Sequence, residues 1–215
     1  MVIEIAHRGD SHYHKDNSKE SFLYAVSKGY DMIELDIQLS KDNKIFIYHD
    51  TLKGSKELSK MIYDDIKSID NSILSLEEFF KLIDVKNIKI YLDVKGNDTK
   101  ICKYLDEILK NIDFSNIYIA SFNLLIIDEL FKINSNYKYG VILENLFTKD
   151  IFNYIIQKYK LTFICFHWTM LHEDTINYIH NFGIKIFTYT CKENNLLSYM
   201  KQFKIDGIVT NYKIT

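Results

Sequence analysis

The sequence predicts an α/β protein, a (β/α)8 barrel in a short form, with a β-hairpin after the second strand and no helix after the last. Three observations lead there. Eight short runs rich in Ile, Val, Phe and Tyr alternate with amphipathic stretches, the pattern of a parallel sheet wrapped by helices. The runs are apolar almost throughout, as strands buried on both faces are. From Ile88 onward their starts recur roughly every 22 to 29 residues, one strand–helix unit each.

The strand runs are residues 2–6, 31–37, 88–94, 117–121, 140–143, 162–166, 184–190 and 207–210. The helical stretches between them are 18–28, 76–84, 99–110, 124–133, 149–158, 172–181 and 193–201. An open doubly wound sheet would want a Gly-rich phosphate turn after the first strand, and His7-Arg8-Gly9-Asp10 is not one. Residues 45–49 read as a strand separated from 31–39 by Ser40-Lys41-Asp42-Asn43-Lys44. That is too short for a parallel crossover and suits an antiparallel hairpin with Asp42-Asn43 as its turn. Counting out from that turn sets Asp36 opposite His49, so the hairpin folds His49 back over the barrel mouth. Asn17 with Glu20 reads as a capping box for the first helix.

The chain has 215 residues, 47% hydrophobic and 26% charged, with a net charge of −2. This is enough to bury a core and is expected to form one barrel domain over residues 1–215. The charge balance excludes a strongly basic nucleic-acid binder. No apolar run reaches the ~18 residues of a membrane span, and the N-terminus lacks the basic start of a signal peptide. Cys102, Cys165 and Cys191 are widely spaced and odd in number, which suits buried thiols in a reducing, cytoplasmic setting. Arg8 is the sole arginine in a chain full of lysine, so it stands where Lys would not serve.

Reactive groups of a barrel sit at the C-terminal ends of its strands. Those ends carry His7-Arg8, Glu34-x-Asp36, His49-Asp50, Asp93-x-Lys95, Ser121-Phe122, His167-Trp168 and Tyr189. Glu34, Asp36 and Asp93 are oxygen donors for one hard divalent cation, Mg2+ or Ca2+. Arg8 and Lys95 are cations beside them, suited to an anionic phosphoryl group. His7 and His49 are the groups able to exchange protons near neutral pH. Phe122, Trp168 and Tyr189 are expected as pocket wall.

On these residues the chain resembles the glycerophosphodiester phosphodiesterases, within the phospholipase-C-like barrels. Ala6-His7-Arg8-Gly9 is similar to the family's H-R-G, and Asp16-Asn17-Ser18 to its E-N-T. Ile33 through Asp36, Lys41-Asp42 and Tyr48-His49-Asp50 are similar to E-x-D, the T-K-D turn and H-D. Asp93-Val94-Lys95, Ala120-Ser121-Phe122, Tyr189-Thr190 and Asp206 through Tyr212 complete the likeness. The family has Glu at 93 and 16, Asn at 192 and Asp at 211, where this chain has Asp93, Asp16, Lys192 and Asn211.

The resemblance implies a metal-dependent hydrolase that takes a small glycerophosphodiester and releases sn-glycerol 3-phosphate and an alcohol. It implies His7 and His49 as the acid/base pair, Glu34, Asp36 and Asp93 on the metal, and Arg8 and Lys95 on the phosphate. Which histidine is acid, and whether water or the vicinal hydroxyl attacks, stays open at this level. A lysophospholipid phosphodiesterase using the same site and a non-catalytic phosphodiester-binding barrel are the alternatives. His12-Tyr13-His14 could suggest an amidohydrolase-type metal pair, but it lies past the end of the first strand.

Overall fold

The computed structural model describes residues 2–214. Its strands and helices run in chain order as β1 (Ile3–Ala6), α1 (Lys19–Ser27), β2 (Met32–Leu39), β3 (Ile45–Ile47), β4 (Leu52–Lys53), β5 (Lys56–Glu57), α2 (Tyr63–Ile69), α3 (Leu76–Leu82), β6 (Lys89–Val94), α4 (Lys100–Leu109), β7 (Ile117–Ser121), α5 (Leu124–Ile133), β8 (Lys138–Leu143), α6 (Lys149–Tyr159), β9 (Phe163–His167), α7 (Glu173–His180), β10 (Lys185–Cys191), α8 (Asn194–Met200) and β11 (Gly207–Thr210). Eight parallel strands close on themselves in the order β1, β2, β6, β7, β8, β9, β10, β11, with β1 pairing both β2 and β11. Among the described residues no helix follows β11.

Period-two alternation explains why the strands read as continuous apolar runs. On β2, Ile33, Leu35 and Ile37 face outward into the layer beneath the helices, while Met32 faces the barrel axis. The axis is plugged by Tyr91, Tyr118, Phe163 and Phe187, with Phe163 edge-on to Tyr91 at 5.2 Å and 4.9 Å from Phe187. Gly140 makes room for the plug, because a Cβ there would lie 2.3 Å from the Phe163 ring. All three cysteines are free and buried.

Two local readings are corrected, and a third stretch, for which the sequence predicts no elements, gains them. First, the hairpin register is one residue off: Leu39, Gln38 and Ile37 pair with Ile45, Phe46 and Ile47. The Tyr48 amide donates to the Asp36 carbonyl at 3.1 Å, so Tyr48, not His49, opposes Asp36. The loop holds three residues, not two. Ser40 pairs with Lys44, the Asn43 amide closes a turn on the Ser40 carbonyl, and Asn43 takes a left-handed φ of 66°. Second, Ser18, not Asn17, caps α1, in a capping box with Ser21. Third, residues between the hairpin and α3 form β4, β5 and α2. These short pieces lack a long periodic signal and are held by tertiary contacts.

Candidate active site

The C-terminal ends of the barrel strands open into a pocket of ≈ 370 Å3. Its floor is built from β2 and β6, whose register sets Asp36 beside Asp93 and Glu34 beside Tyr91. Alternation on β2 turns Glu34 and Asp36 to the same side as Met32, toward the axis. The three carboxylates are 4%, 1% and 5% exposed for Glu34, Asp36 and Asp93. One oxygen from each lies within 4.8 Å of the others.

Two cations hold the cluster. The Lys95 ammonium donates to Asp93 Oδ2 at 2.6 Å and lies 3.1 Å from Asp36 Oδ1. Arg8 Nε lies 3.1 Å from Asp36 Oδ2, and its Nη1 donates to Asp16 at 2.9 Å. The Arg8 backbone N–H donates to Glu34 Oε2 at 2.9 Å, an approach made possible by a left-handed φ of 57°. That conformation costs roughly 1–2 kcal/mol for an L-residue, strain of the kind found where geometry serves a site. Gly9 continues the turn at φ 78°, and a Cβ there would lie 2.4 Å from Ser21 Oγ.

Charge and burial then act in opposite directions on the acids. Burial would raise Asp36, but Lys95 and Arg8 outweigh it and hold its carboxyl below the usual range. Burial and the neighbouring Asp36 and Asp93 push Glu34 well above that range. Burial likewise pushes Asp93 up to about 6, against the pull of Lys95. With all groups ionised, three carboxylates face two cations, so one negative charge is left over. Asp93 Oδ1 is buried without a hydrogen-bond partner. A donor set of carboxylate oxygens, one of them orphaned, in a site short of positive charge fits a hard divalent cation.

The two histidines have unlike surroundings. His7 packs into the mouth, where burial and then Arg8 lower its pKa to about 4. Its Nδ1 is 2.7 Å from Asn211 Oδ1, which only accepts, so Nδ1 carries the proton and Nε2 keeps its lone pair. His49 is exposed, and its Nδ1 lies 2.7 Å from the Asp50 carboxylate. Both line the pocket.

Phe122 and Tyr189 also line the pocket, edge to face at 6.0 Å, with Lys95 5.2 Å above the Phe122 ring. Trp168 is not among the lining residues. It sits on a short 3-10 turn, packed against the outer core and edge-on to Tyr199 at 6.0 Å. His12 and His14 stay outside the pocket in an aromatic cluster with Tyr13 and Tyr24.

Four residues outside the predicted site set support or line the pocket. Asn17 donates to Asp36 Oδ2 at 2.9 Å, and Asp16 clamps Arg8. Asn211 orients His7, and Glu144 accepts from the Tyr189 hydroxyl at 3.2 Å. Glu144 directly follows β8, so the rule of strand ends could have found it. The other three act through partners distant in sequence.

A model of the glycerophosphoryl diester phosphodiesterase family matches residues 7–215. A glycerophosphodiester phosphodiesterase of Caldanaerobacter subterraneus subsp. tengcongensis is 25% identical over 230 residues, 98% of this chain and 94% of that protein. The structure of a Thermotoga maritima glycerophosphodiester phosphodiesterase superposes with a TM-score of 0.85 at 26% identity, covering 98% of this chain and 95% of that one. An Oleispira antarctica phosphodiesterase, solved with the product sn-glycerol-3-phosphate, shares the fold at a TM-score of 0.89 and 18% identity, covering 99% and 94%. The chain belongs to the glycerophosphoryl diester phosphodiesterase family and is a phosphodiesterase.

Proposed function

We propose that this family member hydrolyses glycerophosphodiesters to sn-glycerol 3-phosphate and an alcohol, with His7 as general base and His49 as general acid. The observation that carries the reading is the unlike pairing of the two histidines at one pocket. His7 is neutral at pH 7 with Nε2 free to take a proton. His49 stands at the same pocket with its Nδ1 held 2.7 Å from the Asp50 carboxylate, which orients the ring. Two such groups on separate elements can serve the two ends of an in-line displacement, one taking the proton of the attacking water, or of the vicinal hydroxyl with water then opening the cyclic phosphate, and one protonating the departing alkoxide.

Glu34, Asp36 and Asp93 would hold Mg2+ or Ca2+, which when bound supplies Lewis-acid polarisation of the phosphoryl oxygen. Arg8 and Lys95 neutralise the phosphate's remaining charge, Arg8 by presenting two donors from a planar group. Phe122 and Tyr189 wall the pocket beside Lys95. The Oleispira product complex supports a glycerol-phosphate substrate for this fold.

The test is turnover of glycerophosphocholine, glycerophosphoethanolamine and lysophosphatidylcholine with added Mg2+ or Ca2+. Release of glycerol 3-phosphate from the first two is expected. Turnover of the lysolipid alone would move the substrate class to lipids, and no turnover of any would leave a binding barrel.

A further inference from the structure

The barrel carries a second concentration of charge at its other end. In a closed barrel, side chains from every second strand form one layer across the axis, ordinarily bulky and branched. Two residues below the layer of Ile5, Tyr91, Gly140 and Phe187, the alternation sets Ile3 of β1, Lys89 of β6, Lys138 of β8 and Lys185 of β10 toward the axis. Three of the four are lysines, and all three are half-buried.

Among the described residues none of the three is in an ion pair, whereas eleven lysines elsewhere in the chain pair with carboxylates. Lys138 Nζ lies 4.9 Å over the Tyr118 ring and donates to the Ser115 carbonyl. Burial, then the ammonium groups of Lys185 and Lys89, hold Lys138 below its usual range, and Asp113 opposes them weakly. Strand alternation within one layer turns all three side chains into the same end of the barrel.

We propose that Lys89, Lys138 and Lys185 form an anion site at the N-terminal end of the barrel, taking a compact oxyanion of the phosphate class. A tetrahedral anion has enough oxygens to accept from three ammonium groups at once and enough charge to relieve their repulsion. Chloride has one charge and no directional acceptors. If the lysines only cap the aromatic plug with their aliphatic stems and leave their heads in water, phosphate has no preferred place there.

The site is separable from the catalytic one by nuclear magnetic resonance. Inorganic phosphate is titrated into the whole chain, following the amides of Lys89, Lys138 and Lys185 beside those of Arg8 and Gly9. A saturable shift at the lysine layer is expected, weakened roughly tenfold or more in Lys138→Met, with the Arg8 response and diester turnover unchanged. Lys185→Gln should weaken it likewise and serves if Lys138→Met does not fold. A drift at the layer no different from that in sodium chloride of equal ionic strength would overturn the proposal. So would wild-type phosphate binding in both variants. A second arm with glycerol 3-phosphate separates free phosphate from a phosphomonoester as the occupant.

Discussion

The two sides of the barrel mouth are built on opposite principles. The side formed by β1, β2 and β6 gathers Arg8, Glu34, Asp36, Asp93 and Lys95 into one buried cluster, held by Arg8 and Asn17 in left-handed backbone. The facing side, from β8 to β10, presents Ile142, Cys165 and Tyr189, with Glu144 as its one acid in the pocket. The first side places charge where burial opposes it, and it stands because each acid has a cation or an amide donor. The second packs as ordinary barrel interior. The contrast teaches that the buried charge is confined to three neighbouring strands, while the others shape the pocket.

The sharpest way to break that contrast is Asp36→Ala. Asp36 is the carboxylate shared by Arg8, Lys95 and Asn17. Its loss should lower kcat/KM by roughly a thousandfold or more. It should also cost about 2 kcal/mol of stability, because two half-buried cations each lose one of their two carboxylate partners. Kinetics with saturating divalent cation and urea melts read both, and activity within tenfold of wild type would remove Asp36 from the site.

Next come the histidines. His49→Ala should cut turnover of an alkyl diester by roughly 100-fold or more and spare most activity on a p-nitrophenyl diester, whose leaving group needs no proton. His7→Ala should damage both substrates alike. Equal losses on the two substrates in both variants would defeat the division of roles.

Asp93→Asn separates stability from function on the charged side. The folded-state pKa of Asp93, about 6, lies above its ordinary 3.8. The folded state therefore holds the extra proton between those values, and stability falls as pH rises through them. Without divalent cation, Asp93→Asn should be more stable than wild type at pH 7, by on the order of 2 kcal/mol, and the gap should close toward pH 4. Added Mg2+ or Ca2+ should raise the melting temperature of wild type more than that of the variant. A pH-independent gap would show that Asp93 is not a destabilised acid.

Arg8→Lys should lower kcat/KM roughly tenfold, about 1.4 kcal/mol, since an ammonium cannot reach Asp16, Asp36 and a phosphate with one planar group. Wild-type kinetics would make the arginine incidental. The smallest effect belongs to the facing side. Tyr189→Phe removes only the hydroxyl bonded to Glu144, so a few-fold rise in KM with kcat unchanged is expected, in line with about 1 kcal/mol for one hydrogen bond. A large fall in kcat would place chemistry on both sides of the mouth.

What the sequence determined by itself is the periodic part. Alternating apolar runs and helical stretches specified the eight strands, their order and the barrel, and β7, β11 and α5 fall at the residues the pattern marked. The i, i+2 spacing of Glu34 and Asp36 on a buried strand marked both acids, because a strand's alternation is a local property. The hairpin register was not local in that sense. It turned on the left-handed Asn43 and a three-residue loop, and one residue of slip moved the residue opposite Asp36 from His49 to Tyr48. The tertiary structure alone decided that Asn17 serves Asp36 instead of capping a helix, that Asn211 fixes the proton on His7, and that Trp168 stands outside the pocket. The physical reason is common to all three. A side chain's partner is set by which strands the closed sheet brings side by side, and Asn211 reaches His7 only because β11 returns to pair with β1.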